Sequence, residues 1–330
     1  MTDKKETIFV TGGLGFIGSH FCKRLVEAGD RIVVYDLFKS FVSPVISKRY
    51  SHYLEYRLKP LKGKIEVIEG DIRDNFRLNN AVSKVKPDKI VHFAGLPIAD
   101  ISNQFPEEAI SINFQGTANL LNVAIHLKKL KKFVNISSSM VYGDFQYRPA
   151  DENHPTKPKG IYGLTKLGAE HLTRIYAERY GFNYIAIRPS AVYGPTDKNQ
   201  RVVQLFIERA MMGKPLILHD GGKAKLDFTY VEDLADGILL ALKNNRVKNE
   251  TFNMTCGQGR SLKTLANIIK KHFPQTKIVT KTLAQAKRRP KRGAMDISKA
   301  RKMLRYHPQY PLEKGVAKYI NFIKTINSTK

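Results

Sequence analysis

Cysteine is nearly absent: Cys22 and Cys256 are the only two in 330 residues. Two cannot build the disulfide framework of a secreted mini-domain, and no Cys/His cluster has zinc spacing. No stretch approaches the ~18 consecutive apolar residues of a membrane span. The N-terminal MTDKKETIFV has no apolar signal core between its charges and the first strand-like run. Internal repeats, low-complexity tracts and long linkers are also missing. Together these absences predict a soluble, cytoplasmic protein with no metal centre and no membrane contact. Acidic side chains are scarce too, 29 Asp+Glu against 56 Lys+Arg, a formal charge of +27. Such a surplus invites polyanions. However, the basic residues are spread along the chain, with one dense patch, Lys287-Arg288-Arg289-Pro290-Lys291-Arg292. That distribution fits a lysine-rich surface better than a nucleic-acid groove, and nucleic acid is not the expected partner.

What is present is ordinary globular material, 42% hydrophobic and 26% charged. The length suits about two domains of ~150 residues. The first half alternates strand-like runs with amphipathic stretches. The runs are Thr7–Val10, Arg31–Asp36, Ile65–Ile68, Ile90–Phe93, Phe133–Ile136 and Tyr184–Ile187. Helical periodicity covers Phe16–Ala28, Glu107–Leu127 and Tyr162–Tyr180. Continuous apolar strands separated by helices predict an α/β fold with a doubly wound parallel sheet, covered on both faces. After Arg188-Pro189 the texture changes to shorter strands and more Gly/Pro. We therefore expect a first domain over 1–188, with a returning segment near 228–245, and a smaller α/β substrate-binding lobe over 189–330.

Three motifs carry chemistry. Gly12, Gly15 and Gly18 form G-x-x-G-x-x-G between the first strand and the first helix. Glycines there let the backbone approach a pyrophosphate at the helix N-terminus. Asp36 ends the next strand, where a carboxylate can accept from the adenosine ribose and repel a 2′-phosphate. NAD is favoured over NADP, and Lys39 is the residue that argues the other way. Asp71, after the third strand, is a candidate acceptor for the adenine amino group. The third motif is Ser137-Ser138-Ser139 at a strand end, followed by Tyr162-x-x-x-Lys166 on one helix face. An ammonium beside a phenol favours the phenolate, which makes a base able to take a proton from a secondary alcohol. His92, inside a strand, reads as a satisfied core histidine and Tyr142 as packing.

The order TGGLGFIGSH, VVYD, GDI, HFAG, N-x-x-G-T, SSSMVYG, YGLTK, RPSAVYGP, LDFTYVEDLADG, DISKARKML resembles the extended short-chain dehydrogenase/reductase family. More narrowly, it resembles the NAD-dependent nucleotide-sugar epimerase/dehydratase group. The resemblance spans nearly the whole chain. It implies a Rossmann-type NAD domain with Tyr162 as general base, Lys166 as its partner and ribose contact, and Ser138, or its neighbour Ser139, as the hydroxyl on the reacting oxygen. The implied cofactor cradle comprises Gly12, Gly15, Phe16, Ile17, Gly18, Asp36, Asp71, Ile72, Ala94, Asn113, Tyr162, Lys166 and Pro189. Helices 107–127 and 162–180 resemble a homodimer's four-helix interface.

Departures from the family pattern bear on the reaction. Dehydratases and decarboxylases usually carry an acid where this chain has Met140, which cannot move a proton. What remains is 4-epimerisation of a nucleotide sugar, most simply a UDP-sugar. The alternatives are reduction of a nucleotide 4-keto sugar, dehydration despite Met140, and a non-catalytic RNA-binding role. On the substrate side, Ala191 replaces a common Asn and Leu226 a common Arg. Lys225 is the expected substitute for that Arg, and Arg292 lies in the patch where family members often place a diphosphate-binding Arg.

Overall fold

The computed structural model describes residues 5–38, 50–282 and 289–328. Lys39, Lys287 and Arg288 lie outside the described residues. The first half supplies strands β1 (Thr7–Thr11), β2 (Arg31–Asp36), β3 (Glu66–Glu69), β4 (Lys89–His92), β5 (Lys132–Ile136) and β6 (Asn183–Arg188). The second half supplies β7 (Val192–Tyr193), β8 (Leu216–His219), β9 (Lys225–Asp227), β10 (Thr229–Tyr230), β11 (Glu250–Asn253), β12 (Gly259–Ser261) and β13 (Ile278–Lys281). Seven strands make one parallel sheet in the order β11-β6-β5-β4-β1-β2-β3. The chain winds one way from β1 to β3 and the other way from β4 onward. A crevice therefore opens at the carboxyl ends of β1 and β4, the place where such sheets bind ligands.

Every residue of β4 and β5 is buried, as expected for strands covered on both faces. That includes Lys89 and Lys132. Their amines donate to the carbonyls of Leu242 (3.1 Å) and of Ala241 and Asn244 (3.0 and 2.6 Å). These carbonyls end the helix Val231–Lys243, where a cation is favourable. This helix packs against Phe16–Glu27, with the Arg24 guanidinium on Asp236 at 2.5 Å.

Three observations refine the sequence reading. The return to the first domain extends past 245. β11 pairs with β6 from Glu250↔Ile185 to Asn253↔Arg188, and Ile297, Ala300 and Leu304 join the core under the sheet. The stretch Glu107–Leu127 is not one α-helix: α-helical segments at Pro106–Ala109 and Gly116–Ala124 flank a π-helical segment, Ile110–Gln115. By contrast, the 162–180 expectation matches a helix over Ile161–Tyr180. The lobe holds its own core, in which Phe206, Phe228, Leu265, Val316 and Tyr319 meet, and three two-stranded sheets, β10-β7, β12-β9 and β13-β8.

Candidate active site

Gly12, Gly15 and Gly18 form a tight turn into the helix Phe16–Glu27. Gly12 has φ +68°, and a Cβ there would lie 2.6 Å from the Ala94 amide nitrogen. A Cβ on Gly18 would lie 2.4 Å from the Gly12 oxygen. Gly15 is the N-cap and has no side chain to cap with, and the first turn holds no acidic residue. The opening amides, those of Phe16 and Ile17 among them, are left for an anion. Asp36 sits beside this turn and accepts from the Leu14 and Phe38 amides, both at 2.9 Å; burial raises its pKa. These features fit the pyrophosphate and adenosine ribose of NAD.

Deeper along the crevice, Ala94 donates its amide to Thr11. Ile72 packs under Gly116, and the Asp71 carboxylate is held by Arg73 at 2.6–3.0 Å. Arg73 also reaches Glu108 at 3.1 Å. Asn113 lies on the π-helical segment. Its Oδ1 accepts from the Leu96 amide at 2.7 Å and its Nδ2 donates to Thr165 Oγ1 at 3.2 Å. It thus braces the loop after β4 against the helix that carries Tyr162 and Lys166.

Ser138 follows β5 and caps a short 3₁₀ turn, Ser139–Tyr142, accepting from the Met140 amide at 3.2 Å. Tyr162 is close enough to Ser138 for the serine to act against the rise in its pKa. Lys166 lies one turn further on. Its ammonium donates to the Ile136 carbonyl at 2.9 Å and faces Gly95, where a Cβ would sit 3.4 Å from Nζ. Burial pulls the Lys166 pKa down to about 8, against the pull of Glu170. For Tyr162, burial pushes the pKa up; Arg201 and Ser138 act the other way, and the sum stays above the ordinary value. The sequence reading gave Lys166 the activating part. Bound NAD would add its positive nicotinamide, which favours the phenolate.

The surrounding residues divide into those that pack and those that face the crevice. His92 bridges Thr11 Oγ1 (2.7 Å) and Thr117 Oγ1 (3.0 Å), and burial pulls its pKa down to about 3. It is a neutral core histidine. Arg188 turns inward to a buried pair with Glu170 at 2.6 Å and to Tyr142 Oη at 3.0 Å. Tyr142 in turn donates to Asn253 Oδ1. Pro189 offers its carbonyl to the Ser139 amide at 2.9 Å. Ala191 takes φ +36°, a left-handed conformation that Asn adopts more readily. Lys225 is exposed on β9, and Arg260 stands opposite Leu226 across the β9–β12 ladder. Arg292 donates from Nη1 to Ser139 Oγ at 3.2 Å.

Some functional candidates escaped the sequence reading. Among the described residues, the buried hydroxyls of Ser137 and Ser190 have no hydrogen-bond partner; they follow the strands β5 and β6. Buried Arg57 donates to the Leu14 carbonyl (3.2 Å) and the Thr196 carbonyl (2.6 Å), joining the glycine-rich turn to the lobe. Among the described residues, no group of His, Cys, Asp and Glu could hold a metal ion, and no helix is long and apolar enough to cross a membrane.

Comparison with known proteins agrees with this geometry. Residues 8–255 match the model of the NAD dependent epimerase/dehydratase family. A putative UDP-glucose 4-epimerase of Methanocaldococcus jannaschii is 31% identical over 98% of this chain and 100% of its own length. A dTDP-glucose 4,6-dehydratase of Xanthomonas campestris is 28% identical over 97% of this chain and 93% of its own. The crystal structure of a UDP-glucuronic acid 4-epimerase from Bacillus cereus, in complex with UDP-glucuronic acid and NAD, superposes with a TM-score of 0.87. It is 27% identical and covers 97% of this chain and 99% of that one. The chain belongs to the NAD-dependent epimerase/dehydratase family of extended short-chain dehydrogenases/reductases, and its cofactor is NAD.

Proposed function

We propose that the protein is a nucleotide-sugar 4-epimerase acting on a UDP-sugar through a transient 4-keto sugar. The observation that carries this reading is the Ser138–Tyr162–Lys166 arrangement followed by Met140. It is a complete set for moving one alcohol proton, and Met140 stands where dehydratases carry the acid that helps remove water. Tyr162 Oη takes the proton from the sugar 4-hydroxyl. Ser138 Oγ bonds the same oxygen and holds it against Tyr162. Lys166, fixed on Ile136, supplies positive charge beneath the site. NAD, held by the Gly12–Gly18 turn and Asp36, would supply the hydride acceptor for the 4-carbon and the donor to its opposite face. Tyr162 then gives its proton back, so no cofactor is consumed.

Purified protein is incubated with UDP-, GDP-, dTDP- and CDP-sugars, without added cofactor, and each mixture is followed by NMR. We expect a 4-epimer of unchanged mass from a UDP-sugar. Conversion only of an added 4-keto sugar with NADH would replace this reading with a reductase. We read the protein as a cytoplasmic homodimer, supported by two free, buried cysteines and by outward-facing Leu164 and Ile175 on the 161–180 helix.

A further inference from the structure

Arg57, on the helix His52–Leu58, is buried and bonds to two distant parts of the chain. Nη1 donates to the Leu14 carbonyl at 3.2 Å. Nη2 donates to the Thr196 carbonyl at 2.6 Å, and Nε to Thr196 Oγ1 at 3.3 Å. Leu14 is in the glycine-rich turn. Thr196 lies just past β7, in the segment leading to the lobe helix Val202–Met211. Burial pulls the Arg57 pKa down to about 10, against Asp197 and Asp36, so the group is charged at neutral pH. Of those carboxylates, Asp36 lies beside the turn and Asp197 follows Thr196. A buried cation is costly to place and costly to strand, and this one divides its bonds between the turn and the lobe.

A second bond joins the same two parts. His20 Nε2 donates to the Pro195 carbonyl at 3.1 Å. Burial lowers its pKa to about 4, so it is a neutral donor. His20 stands one turn into the helix that the glycine-rich turn opens, with its ring edge-on to Phe16. Adjacent carbonyls, those of Pro195 and Thr196, are thus bound by this helix and by Arg57. Both ends of the link are stiff. The Leu14 amide donates to Asp36 at 2.9 Å, so Leu14 is fixed through both of its backbone groups. Thr196 has φ +69°, which a β-branched residue keeps only where its surroundings hold it. The Asp197 carbonyl accepts from the Tyr319 hydroxyl at 3.2 Å, and its carboxylate from the Asn199 amide at 3.1 Å.

A turn that meets a pyrophosphate with backbone amides has no side chain of its own to close over it. Closure has to come from another segment, and 195–197 is the one this chain ties to the turn. We propose that Arg57 and His20 form a clasp between the glycine-rich turn and the lobe, and that this clasp sets how slowly NAD leaves. Both are positioning residues. They bond to protein carbonyls, while the turn and Asp36 hold the cofactor. With the clasp made, segment 195–197 stays against the turn, and NAD departs when the segment swings away. The proposal rests on NAD as the cofactor and is independent of the reaction run at the site.

The test follows NAD itself. Wild type, His20→Phe, Arg57→Met and the double variant are loaded with NAD and freed of excess by gel filtration. The cofactor still bound is then measured over time. We expect release to quicken about 3- to 10-fold in His20→Phe and about 10- to 100-fold in Arg57→Met, the worth of a neutral and of a charged hydrogen bond. The double variant should fall short of the product of the two, because both bonds hold one segment. AMP separates a clasp from a misshapen turn, since it reaches the turn and Asp36 but lacks the nicotinamide half. By calorimetry, His20→Phe should bind AMP as wild type does, and Arg57→Met should lose less affinity for AMP than for NAD. Equal losses for AMP and NAD in both variants would overturn the clasp and leave Arg57 and His20 as supports of the turn. Release at the wild-type rate in either single variant would also overturn it. Urea unfolding reports folding. Should Arg57→Met not fold, His20→Phe decides alone, because it keeps a ring against Phe16 and removes only the bond to Pro195.

Discussion

Lys166 donates to the carbonyl of Ile136 at 2.9 Å, tying the helix that carries Tyr162 to the strand that leads into Ser138. The three reacting side chains are thus held by one bond between two elements of the fold. Burying the ammonium opposes its charge and lowers its pKa from 10.5 to about 8.

That burial has a stability cost with a defined sign. The unfolded chain holds the Lys166 proton up to pH 10.5 and the folded chain only to about 8. Between these values the unfolded state binds more protons, so stability rises with pH. At neutral pH the cost is at most about 3 kcal/mol. Lys166→Met, which also loses the bond to Ile136, should be more stable than wild type by about 1–2 kcal/mol at pH 7. Urea unfolding without cofactor should show this margin shrinking towards pH 10. A margin constant over that range would contradict a buried charge.

Tyr162→Phe should reduce turnover by about 10²- to 10⁴-fold, the usual worth of a positioned proton-transfer group. The variant should retain NAD, because the cradle at Gly12–Gly18 and Asp36 is untouched. Near-normal turnover would remove Tyr162 as the base.

Glu170→Ala should destabilise by about 3–5 kcal/mol, since it leaves Arg188 buried without its carboxylate. Arg188 also fastens Tyr142, so near-UV circular dichroism should change along with the urea midpoint. Glu170→Ala with Arg188→Met should recover part of the loss.

Ala191→Asn should stabilise by roughly 0.5–1 kcal/mol, because φ +36° strains an alanine more than an asparagine. A rise of a few degrees in Tm would show it, and an unchanged or lower Tm would mean that the asparagine side chain finds no room.

Leu164 and Ile175, eleven residues apart, lie on one side of the helix Ile161–Tyr180 and are 54% and 50% exposed. Wild type should sediment as a dimer and Leu164→Asp/Ile175→Asp as a folded monomer. A wild-type monomer would leave this stripe without a role in assembly.

The parts legible in sequence are those where burial dictates residue type. Arg31–Asp36 is read to the residue because a two-faced parallel strand leaves a continuous apolar run. The glycine positions are readable because no other residue fits against Ala94 and Gly12. β11 is not readable: Glu250-Thr-Phe-Asn253 is a half-polar edge strand, and its membership is set by β6 beside it. Arg57 is equally opaque, since its partners Leu14 and Thr196 lie tens to more than a hundred residues away. The state of Tyr162 is opaque for another reason. Spacing gives its distance from Lys166 along a helix but does not encode burial, which raises its pKa.

The π-helical segment has an effect on register. A π-turn holds one residue more than the α-turn it replaces, so the helix before it is about 100° out of angular step with the helix after it. The single helix expected over 107–127 is therefore broken in two by the π-helical segment. The offset brings the Asn113 side chain to Leu96 and Thr165 while the Gly116–Ala124 helix keeps its apolar side on the sheet. Deleting one residue within 110–115 would bring the two halves into step. The sheet contact could then persist, but the bracket between Asn113, the β4 loop and the Tyr162 helix would be lost.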